Sequence, residues 1–384
     1  MCGPSSGAPT VCGIVGIFRF DGRAVDRSEI ERLNGSIVYR GPDEEGYFLE
    51  NEVALSMRRL SIIDLSSGSQ PMFSPDGRYV IVFNGEIYNY QELRAELEKT
   101  GYQFKTTSDT EVIIAGYATW GKKIVARMNG MWGFAIFDRK ERKLFISRDR
   151  LGKKQLYYAI TPQYFVVGSE MKIPMQYAPE NRKIRLESLP EFLTYSYVGG
   201  PNTALSNVKL LPDAHSAEID SKGTITVEPY WRIGDAKLPT PKNEKDAAEE
   251  LYSILVDAVR LRLIADVPIA VMLSSGLDSS SLAYIIAREL GHKLGTFSLG
   301  YSDEAFDESN DAGDLARRLD LPWHREVITG AEVRDCFPRF IGHIDSLQGN
   351  TAQLVYYFVS EMIRKAGFKV ALNGSGGDEL FAGY

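Results

Sequence analysis

The chain has 384 residues, long enough for two domains. Its 44% hydrophobic and 25% charged residues are ordinary for a soluble globular protein. A net charge of −7, with basic residues only in small groups such as Arg58-Arg59 and Lys153-Lys154, excludes a nucleic-acid or anionic-membrane footprint and favours a small substrate or a protein partner.

Three cysteines, Cys2, Cys12 and Cys336, are odd in number and widely spaced, which is neither a disulfide framework nor a zinc spacing. The N-terminus lacks a basic region followed by an apolar stretch, and no apolar run approaches the ~20 residues that span a bilayer. A cytoplasmic protein is expected, with no nucleic acid and no membrane among its partners.

In chain order, the first half reads as β-rich. Short apolar or alternating runs bounded by turn residues predict strands over 14–20, 54–63, 79–83, 133–138, 143–147, 156–160 and 164–168, with 138–142 as a hairpin connection. One helix is predicted over 90–100, with Asn89 as N-cap, Glu92 at the reciprocal position and Gly101 closing it. A second opens with the capping box Ser108-Asp109-Thr110-Glu111. Residues 231–244 are rich in Pro and Lys without periodicity and read as a linker. Beyond it, helices over 247–263, 280–290, 310–319, 332–344 and 351–366 alternate with strands over 269–273, 296–299, 325–328 and 369–372. That alternation predicts a parallel, helix-covered sheet.

Cys12 stands at the leading edge of the first strand, in Cys12-Gly13-Ile14-Val15-Gly16-Ile17-Phe18. Alone, such a cysteine is more often a small buried hydrophobe than a nucleophile. The four histidines, His215, His292, His324 and His343, lie away from the polar motifs of this half, so a Cys–His pair has little support. A thiol on the first residue of a mature chain can instead use its own α-amine as base.

Four further segments follow: Arg40-Gly41-Pro42-Asp43, Arg59-Leu60-Ser61-Ile62-Ile63-Asp64, Asn84-Gly85-Glu86-Ile87-Tyr88-Asn89 and Ser108-Asp109-Thr110-Glu111. Singly they read as turns, a cap and an exposed strand. Together behind Cys12, in this order, they closely resemble the class II glutamine amidotransferase domain over about residues 12–212. The resemblance implies an α+β N-terminal-nucleophile hydrolase fold, an αββα sandwich. It implies Cys12 as nucleophile, with the Asn84 amide and the Gly85 N–H as oxyanion donors. It further implies Arg59 as a fork for the glutamine carboxylate, Glu86 and Asp109 as acceptors for its ammonium, and a pocket wall from Leu60, Ser61, Ile62 and Ile63. Residues 1–11 are expected to be a leader or to end at a true start at Val11. Cys2-Gly3 is not followed by a strand and carries no role.

Leu273-Ser274-Ser275-Gly276-Leu277-Asp278-Ser279-Ser280 joins a buried strand to a helix. Converging N–H groups and the helix N-terminus there suit a phosphate, and no GxxxxGK[ST] loop exists in the chain. With Asp266-Val267-Pro268 and Asn373-Gly374-Ser375-Gly376-Gly377-Asp378-Glu379-Leu380-Phe381-Ala382-Gly383-Tyr384 it resembles the α/β ATP-pyrophosphatase-type domain of glutamine-hydrolysing asparagine synthetases, over residues 246–384 with 213–245 connecting. The resemblance implies ATP and Mg²⁺ as cofactors. Leu273, Ser274, Ser275, Gly276, Leu277, Asp278, Ser279, Leu299, Asn373 and Gly374 would bind ATP, Leu273 and Leu299 flanking the adenine, and Asp278 and Asp378 would hold the metal.

The implied reaction makes asparagine from aspartate, glutamine and ATP through an acyl-adenylate. Ser275 replaces a glycine, which would strain a left-handed backbone. Ser375 replaces an acidic residue, and 343–350 keeps Asp345 but little else of the usual motif. The domain is therefore expected to be incomplete at Tyr384, making little or no asparagine alone. Two alternatives stand beside the main reading: another acceptor acid, or glutaminase activity only or none. The resemblance leaves a homodimer open.

Overall fold

The structure is a computed structural model that describes residues 11–235, 240–303, 305, 307–350 and 352–383. The expected leader, Cys2, and the terminal Tyr384 of the last motif lie outside the described residues. The described chain groups into two compact units, one of residues 11–235 with 344–350 and one of 240–343 with 352–383.

The first unit is built on strand alternation. Its elements run β1 (Gly13–Arg19), α1 (Arg27–Gly35), β2 (Glu44–Glu50), β3 (Val53–Arg59), β4 (Met72–Phe73), β5 (Tyr79–Ile87), α2 (Tyr90–Lys99), α3 (Asp109–Trp120), α4 (Ile124–Arg127), β6 (Gly130–Asp138), β7 (Lys143–Arg148), β8 (Tyr157–Ile160), β9 (Tyr164–Gly168), α5 (Lys172–Tyr177), α6 (Ser188–Tyr195), β10 (Lys209–Leu210), β11 (His215–Ile219) and β12 (Ile225–Pro229). Two antiparallel six-stranded sheets result, in the orders β10-β8-β9-β1-β3-β2 and β12-β11-β7-β6-β5-β4.

Every second residue faces the other sheet. Ile14, Phe18, Leu55, Met57 and Val167 meet Val80, Val82, Ala135, Phe137 and Ile146 in one core. The alternate residues Val15, Ile17, Ala54 and Val166 pack on Ile30, Leu33 and Ile173 of α1 and α5. Ile81, Phe83, Phe134 and Ile136 pack on Leu93, Leu97 and Val112 of α2 and α3. Helix, sheet, sheet, helix is the αββα sandwich.

Several expectations change. The third strand ends at Arg59, so 60–63 is a loop. Strands β11 and β12 lie beyond Pro212, in the stretch expected to connect the domains, and extend the second sheet to Pro229. Asn89 makes no cap bond to α2; its side chain donates to Arg127 O and accepts from Asn129 N (3.0 and 2.8 Å). Ser108 does cap α3, but Glu111 accepts from Lys105 N and Thr106 N instead of closing a capping box.

The second unit holds α7 (Glu244–Arg262), β13 (Ile269–Met272), α8 (Leu277–Tyr284), β14 (Gly295–Tyr301), α9 (Ser309–Leu319), β15 (Trp323–Ile328), α10 (Gly330–His343), α11 (Ala352–Lys365), β16 (Val370–Leu372) and α12 (Gly377–Phe381). The strands form a parallel sheet in the order β15-β14-β13-β16. On β13, Val271 and the following Leu273 turn toward α7, α8 and α9, whereas Ala270 and Met272 turn toward α11. The last motif ends in the short helix α12, not in a bare loop.

One carboxylate fixes the turn after β7. Asp149, 1% exposed, accepts from Leu151 N and Lys153 N on Oδ1 and from Trp132 N and Lys154 N on Oδ2, all within 2.9–3.2 Å. Asp149→Ala leaves these donors unpaired in a site too tight for bulk water. It should cost about 2–4 kcal/mol in urea unfolding, and a loss within error of zero would contradict the staple.

Candidate active site

The inner face of the sandwich turns polar at one rim. Cys12 keeps the parity of Ile14 and Phe18 and packs on the inter-sheet core. On β5, Asn84 and Glu86 continue the inward parity of Val80 and Val82, since the β5–β6 register runs without a bulge. Cys12 Sγ accepts from Leu60 N at 3.3 Å and faces Leu60 O at 3.5 Å. Arg40 Nε donates to Cys12 O at 2.9 Å and Arg40 Nη1 to Glu170 Oε1 at 3.0 Å, which fixes the start of β1. Burial pushes the Cys12 thiol up to about 11; the Leu60 N–H opposes this, Glu86 adds to it, and Lys154 and Arg59 pull it down.

Asn84 is 1% exposed, and its Nδ2 has no hydrogen-bond partner among the described residues. An orphaned buried donor costs about 1–3 kcal/mol, so its retention points to use. Beside it, a Cβ on Gly85 would stand 2.1 Å from Met131 O, so only glycine lets the strand pass.

Asp109, at the start of α3, accepts from Ile87 N at 3.0 Å and locks the end of β5 to the helix. Its carboxyl is raised to about 6 by burial, against backbone donation from Ile87 and Thr110. Glu86 is pushed well above the usual carboxylate range by burial and by Asp109. The two titrate as a pair.

Arg59 was expected to present a free fork, but its guanidinium is engaged. Nη1 donates to both Glu44 carboxylate oxygens at 3.1 Å, and Nη2 donates to Ile63 O and Asp64 O at 3.1 and 2.6 Å. The two carbonyls hold the 60–63 loop, and Glu44 takes the other side of the guanidinium. Ser61 N donates to Asp43 Oδ2 at 3.0 Å. Asp64, at φ +52, accepts from Ser67 N and Thr107 N at 2.8 Å and ties the loop to the approach of α3.

Sequence reasoning assigned no role to Arg40, Asp43 or Asp64, although all three sit in the quoted motifs. It named Lys154 only within the small basic group Lys153-Lys154. Lys154 instead stands within electrostatic reach of Cys12 and Glu86, its ammonium disfavoured by burial and by Arg40.

In the second unit, Ser274 Oγ meets Ser279 Oγ at 2.8 Å and accepts from Gly276 N at 3.2 Å, which shapes the loop before α8. Ser275 is not in the left-handed region, so the expected strain is absent; its hydroxyl donates to Glu308. A Cβ on Gly374 would lie 2.8 Å from Asp278 Cβ, and one on Gly377 would lie 2.1 Å from Asp278 Oδ2. The loop of 373–378 therefore closes on Asp278, bringing Asp378's segment beside it. Leu273 packs in one core cluster and Leu299 against another. No group of three or more metal-ligating side chains occurs among the described residues. A cation held by one or two carboxylates plus substrate phosphates needs no such cage.

A half-buried thiol on the same rim as an amide unpartnered among the described residues and two acidic acceptors, on an αββα sandwich, defines the class of glutamine amidotransferases. Residues 11–231 match the family model for the glutamine amidotransferase domain, and residues 250–384 match that for asparagine synthase. Over 97% of its length the chain is 36% identical to asparagine synthetase [glutamine-hydrolyzing] 1 of Bacillus subtilis, covering 59% of that protein. It is 35% identical to a putative asparagine synthetase [glutamine-hydrolyzing] 2 of Methanocaldococcus jannaschii, covering 76% of it, and 31% identical to asparagine synthetase B of Escherichia coli, covering 65%. The chain belongs to the glutamine-hydrolysing asparagine synthetase family, and spans roughly three-fifths to three-quarters of the length of these relatives.

The geometry predicts a thiol that stays protonated at neutral pH. In the 384-residue chain, Cys12 alkylation by iodoacetamide should rise about tenfold per pH unit between about pH 7 and 10 without levelling. Levelling near pH 8.5, as for a free cysteine, would contradict the burial argument.

Proposed function

We propose that the chain performs glutamine-dependent amide synthesis in the cytoplasm, with aspartate as acceptor. The observation that carries the glutaminase half is the buried, unpartnered Asn84 Nδ2 on the same inward face as Glu86, at the rim where Cys12 begins β1. Glutamine's ammonium pairs with Glu86 and Asp109, and its carboxylate displaces Glu44 from Arg59. Cys12 Sγ attacks the side-chain amide carbon; the S–C bond forms, the C–N bond breaks, and the thiol proton leaves on ammonia. Asn84 Nδ2 and Gly85 N–H hold the oxyanion. Water then cleaves the thioester, giving glutamate and restoring the thiol. With residues 1–11 removed, the Cys12 α-amine is the proton carrier.

In the second unit, the loop 274–279 and the start of α8 take the ATP phosphates, and Asn373-Gly374 lies beside them. Asp278 and Asp378 would hold Mg²⁺, which neutralises phosphate charge. Aspartate is activated as its adenylate with release of pyrophosphate, and ammonia displaces AMP to give asparagine. The fit of the 373–378 loop to Asp278 supports this. Another acceptor acid is favoured by one observation: Ser375 stands where a carboxylate was expected, its hydroxyl bonded to Tyr356 OH at 2.8 Å.

Four measurements test the reading. Cys12→Ala should abolish glutamine hydrolysis, and Asn84→Ala should lower kcat by about 10²–10³ with little change in KM. Glu44→Ala should lower KM for glutamine and Arg59→Ala raise it; matching effects of the two would misplace the carboxylate site. On the acid side, kcat/KM should fall as pH drops below about 6, because protonating the Glu86–Asp109 pair removes the ammonium acceptor. For the second unit, pyrophosphate release from ATP, ammonia and aspartate should depend on Asp278. Release with another acid but not aspartate selects the alternative.

A further inference from the structure

Strand β4 pairs with β5 through Met72 with Ile81 and Phe73 with Val80, so two residues further along the same register Gln70 stands opposite Phe83, the residue before Asn84. The backbone at 70 lies instead against the other sheet: a Cβ on Gly46 of β2 would stand 1.9 Å from Gln70 O, and only glycine lets the two chains meet. The Gln70 side chain takes up the ladder position. Its Oε1 accepts from Phe83 N at 2.6 Å, and its Nε2 donates to Phe83 O at 3.2 Å. A donor on one side and an acceptor on the other set the orientation of the amide. We infer that Gln70 is a positioning residue for glutamine hydrolysis, its side-chain amide holding Asn84 and Asp109 at their working separation. The inference rests on the reading of Cys12, Asn84 and Asp109 as a glutaminase site.

The same amide reaches the helix. Nε2 also donates to Thr110 Oγ1 at 3.3 Å, in the first turn of α3 and next to Asp109. Thr110 is itself seated, because Ser108 Oγ accepts from its N–H at 3.2 Å. Asp109 Oδ2 in turn accepts from Ile87 N at 3.0 Å. Strand β5 and helix α3 are therefore tied twice, through Gln70 at Phe83 and Thr110, and directly at Ile87 and Asp109. Asn84, Gly85 and Glu86 lie between the two ties.

Phe83 and Thr110 are 3% and 2% exposed, so bulk water does not replace a lost bond. Without the Gln70 amide, the N–H and C=O next to Asn84 are unpaired and β5 is held to α3 at one point. An oxyanion donor acts only where the charge develops, so a small displacement of Asn84 costs rate. A shift of α3 moves the ammonium acceptor and costs affinity. Cys12 belongs to the other sheet, where Arg40 and Glu170 brace it, and its own reactivity serves as an internal control.

The test is a double-mutant cycle on glutamine hydrolysis by the full chain. Gln70→Met keeps the length of the side chain and removes the amide; it should lower kcat about tenfold and raise KM about threefold. In the Asn84→Ala background the same substitution should lower kcat by no more than about threefold, because the displaced donor is already gone. Alkylation of Cys12 by iodoacetamide, followed by peptide mass, should stay within about twofold of wild type in Gln70→Met. General loosening of the fold would instead lower kcat by one factor in both backgrounds and change the alkylation rate. Equal factors in the two backgrounds overturn the inference, as does an unchanged kcat in Gln70→Met. If Gln70→Met fails to fold, Thr110→Val decides, since it removes only the bond to α3. It should raise KM about threefold with kcat within about twofold, and an unchanged KM overturns the inference. A wild-type chain that hydrolyses no glutamine refutes the glutaminase reading and the inference with it, whereas hydrolysis with equal factors overturns the inference alone.

Discussion

Buried charge at the rim of the sandwich is the constraint on which the site depends. Taking one ion out of water costs several kcal/mol unless partners answer it. Behind Cys12 the answer is complete: Glu170 accepts from Arg40 at 3.0 Å, pairs with Lys172 Nζ at 2.8 Å and accepts from Tyr39 OH. In front of Cys12 it is not, because Asn84 Nδ2 lacks an acceptor among the described residues and Glu86 and Asp109 repel each other. A satisfied network fixes the Cys12 backbone, and an unsatisfied one faces the space a polar ligand would fill. Preorganisation of this kind places donors before the charge they stabilise has developed.

The run 169–172 shows how few residues do the fixing. Ser169 Oγ accepts from Ile14 N at 3.0 Å, and Glu170 takes Arg40, which in turn donates to Cys12 O. Met171 N and Lys172 N donate to Asp345 at 2.5 and 3.3 Å. Asp345 lies in 344–350, remote in sequence but grouped with the sandwich, where Gly349 N also donates to Ser196 O at 2.7 Å. Burial and the neighbouring Glu170 raise the Asp345 carboxyl to about 7, so its charge is marginal at neutral pH while its backbone donors hold it in place. The one aspartate kept from an otherwise altered motif is therefore a ligand for backbone N–H groups next to the nucleophile's support.

Much of this was legible in the sequence where periodicity is local. Short apolar or alternating runs over 14–20, 79–83 and 133–138 announced strands, and the strand–helix rhythm after residue 245 announced the parallel sheet. The edges were harder. Strand β2 carries three glutamates because it pairs on one side only, and β12 is half-exposed for the same reason, so neither shows a clean apolar stripe. The helix at Arg27–Gly35 did carry a signal, since Asp26 and Glu29 form a full capping box. Charge partners could not be read at all. That Arg59 meets Glu44, or that Lys154 stands by Cys12, follows from contacts 15 and more than a hundred residues apart, and a basic pair such as Lys153-Lys154 looks the same whether buried or solvated.

If Cys12 is the nucleophile proposed above, the distribution of charge also explains how it can be kept in a site that disfavours its reactive form. In the resting chain, burial and Glu86 act together to keep the thiol protonated, which protects it from adventitious electrophiles. An ammonium seated between Glu86 and Asp109 cancels the negative field at its source. The same ligand's carboxylate, in taking Arg59, frees Glu44 toward solvent, where its side chain is already 36% exposed. On that reading the ammonium removes negative field from around Cys12, whereas the second change exchanges one carboxylate for another on Arg59. The electrostatics that favour the thiol in the empty site thus favour the thiolate in the filled one, and the change of sign is supplied by the amino-acid end of the substrate, at a distance from the bond that breaks.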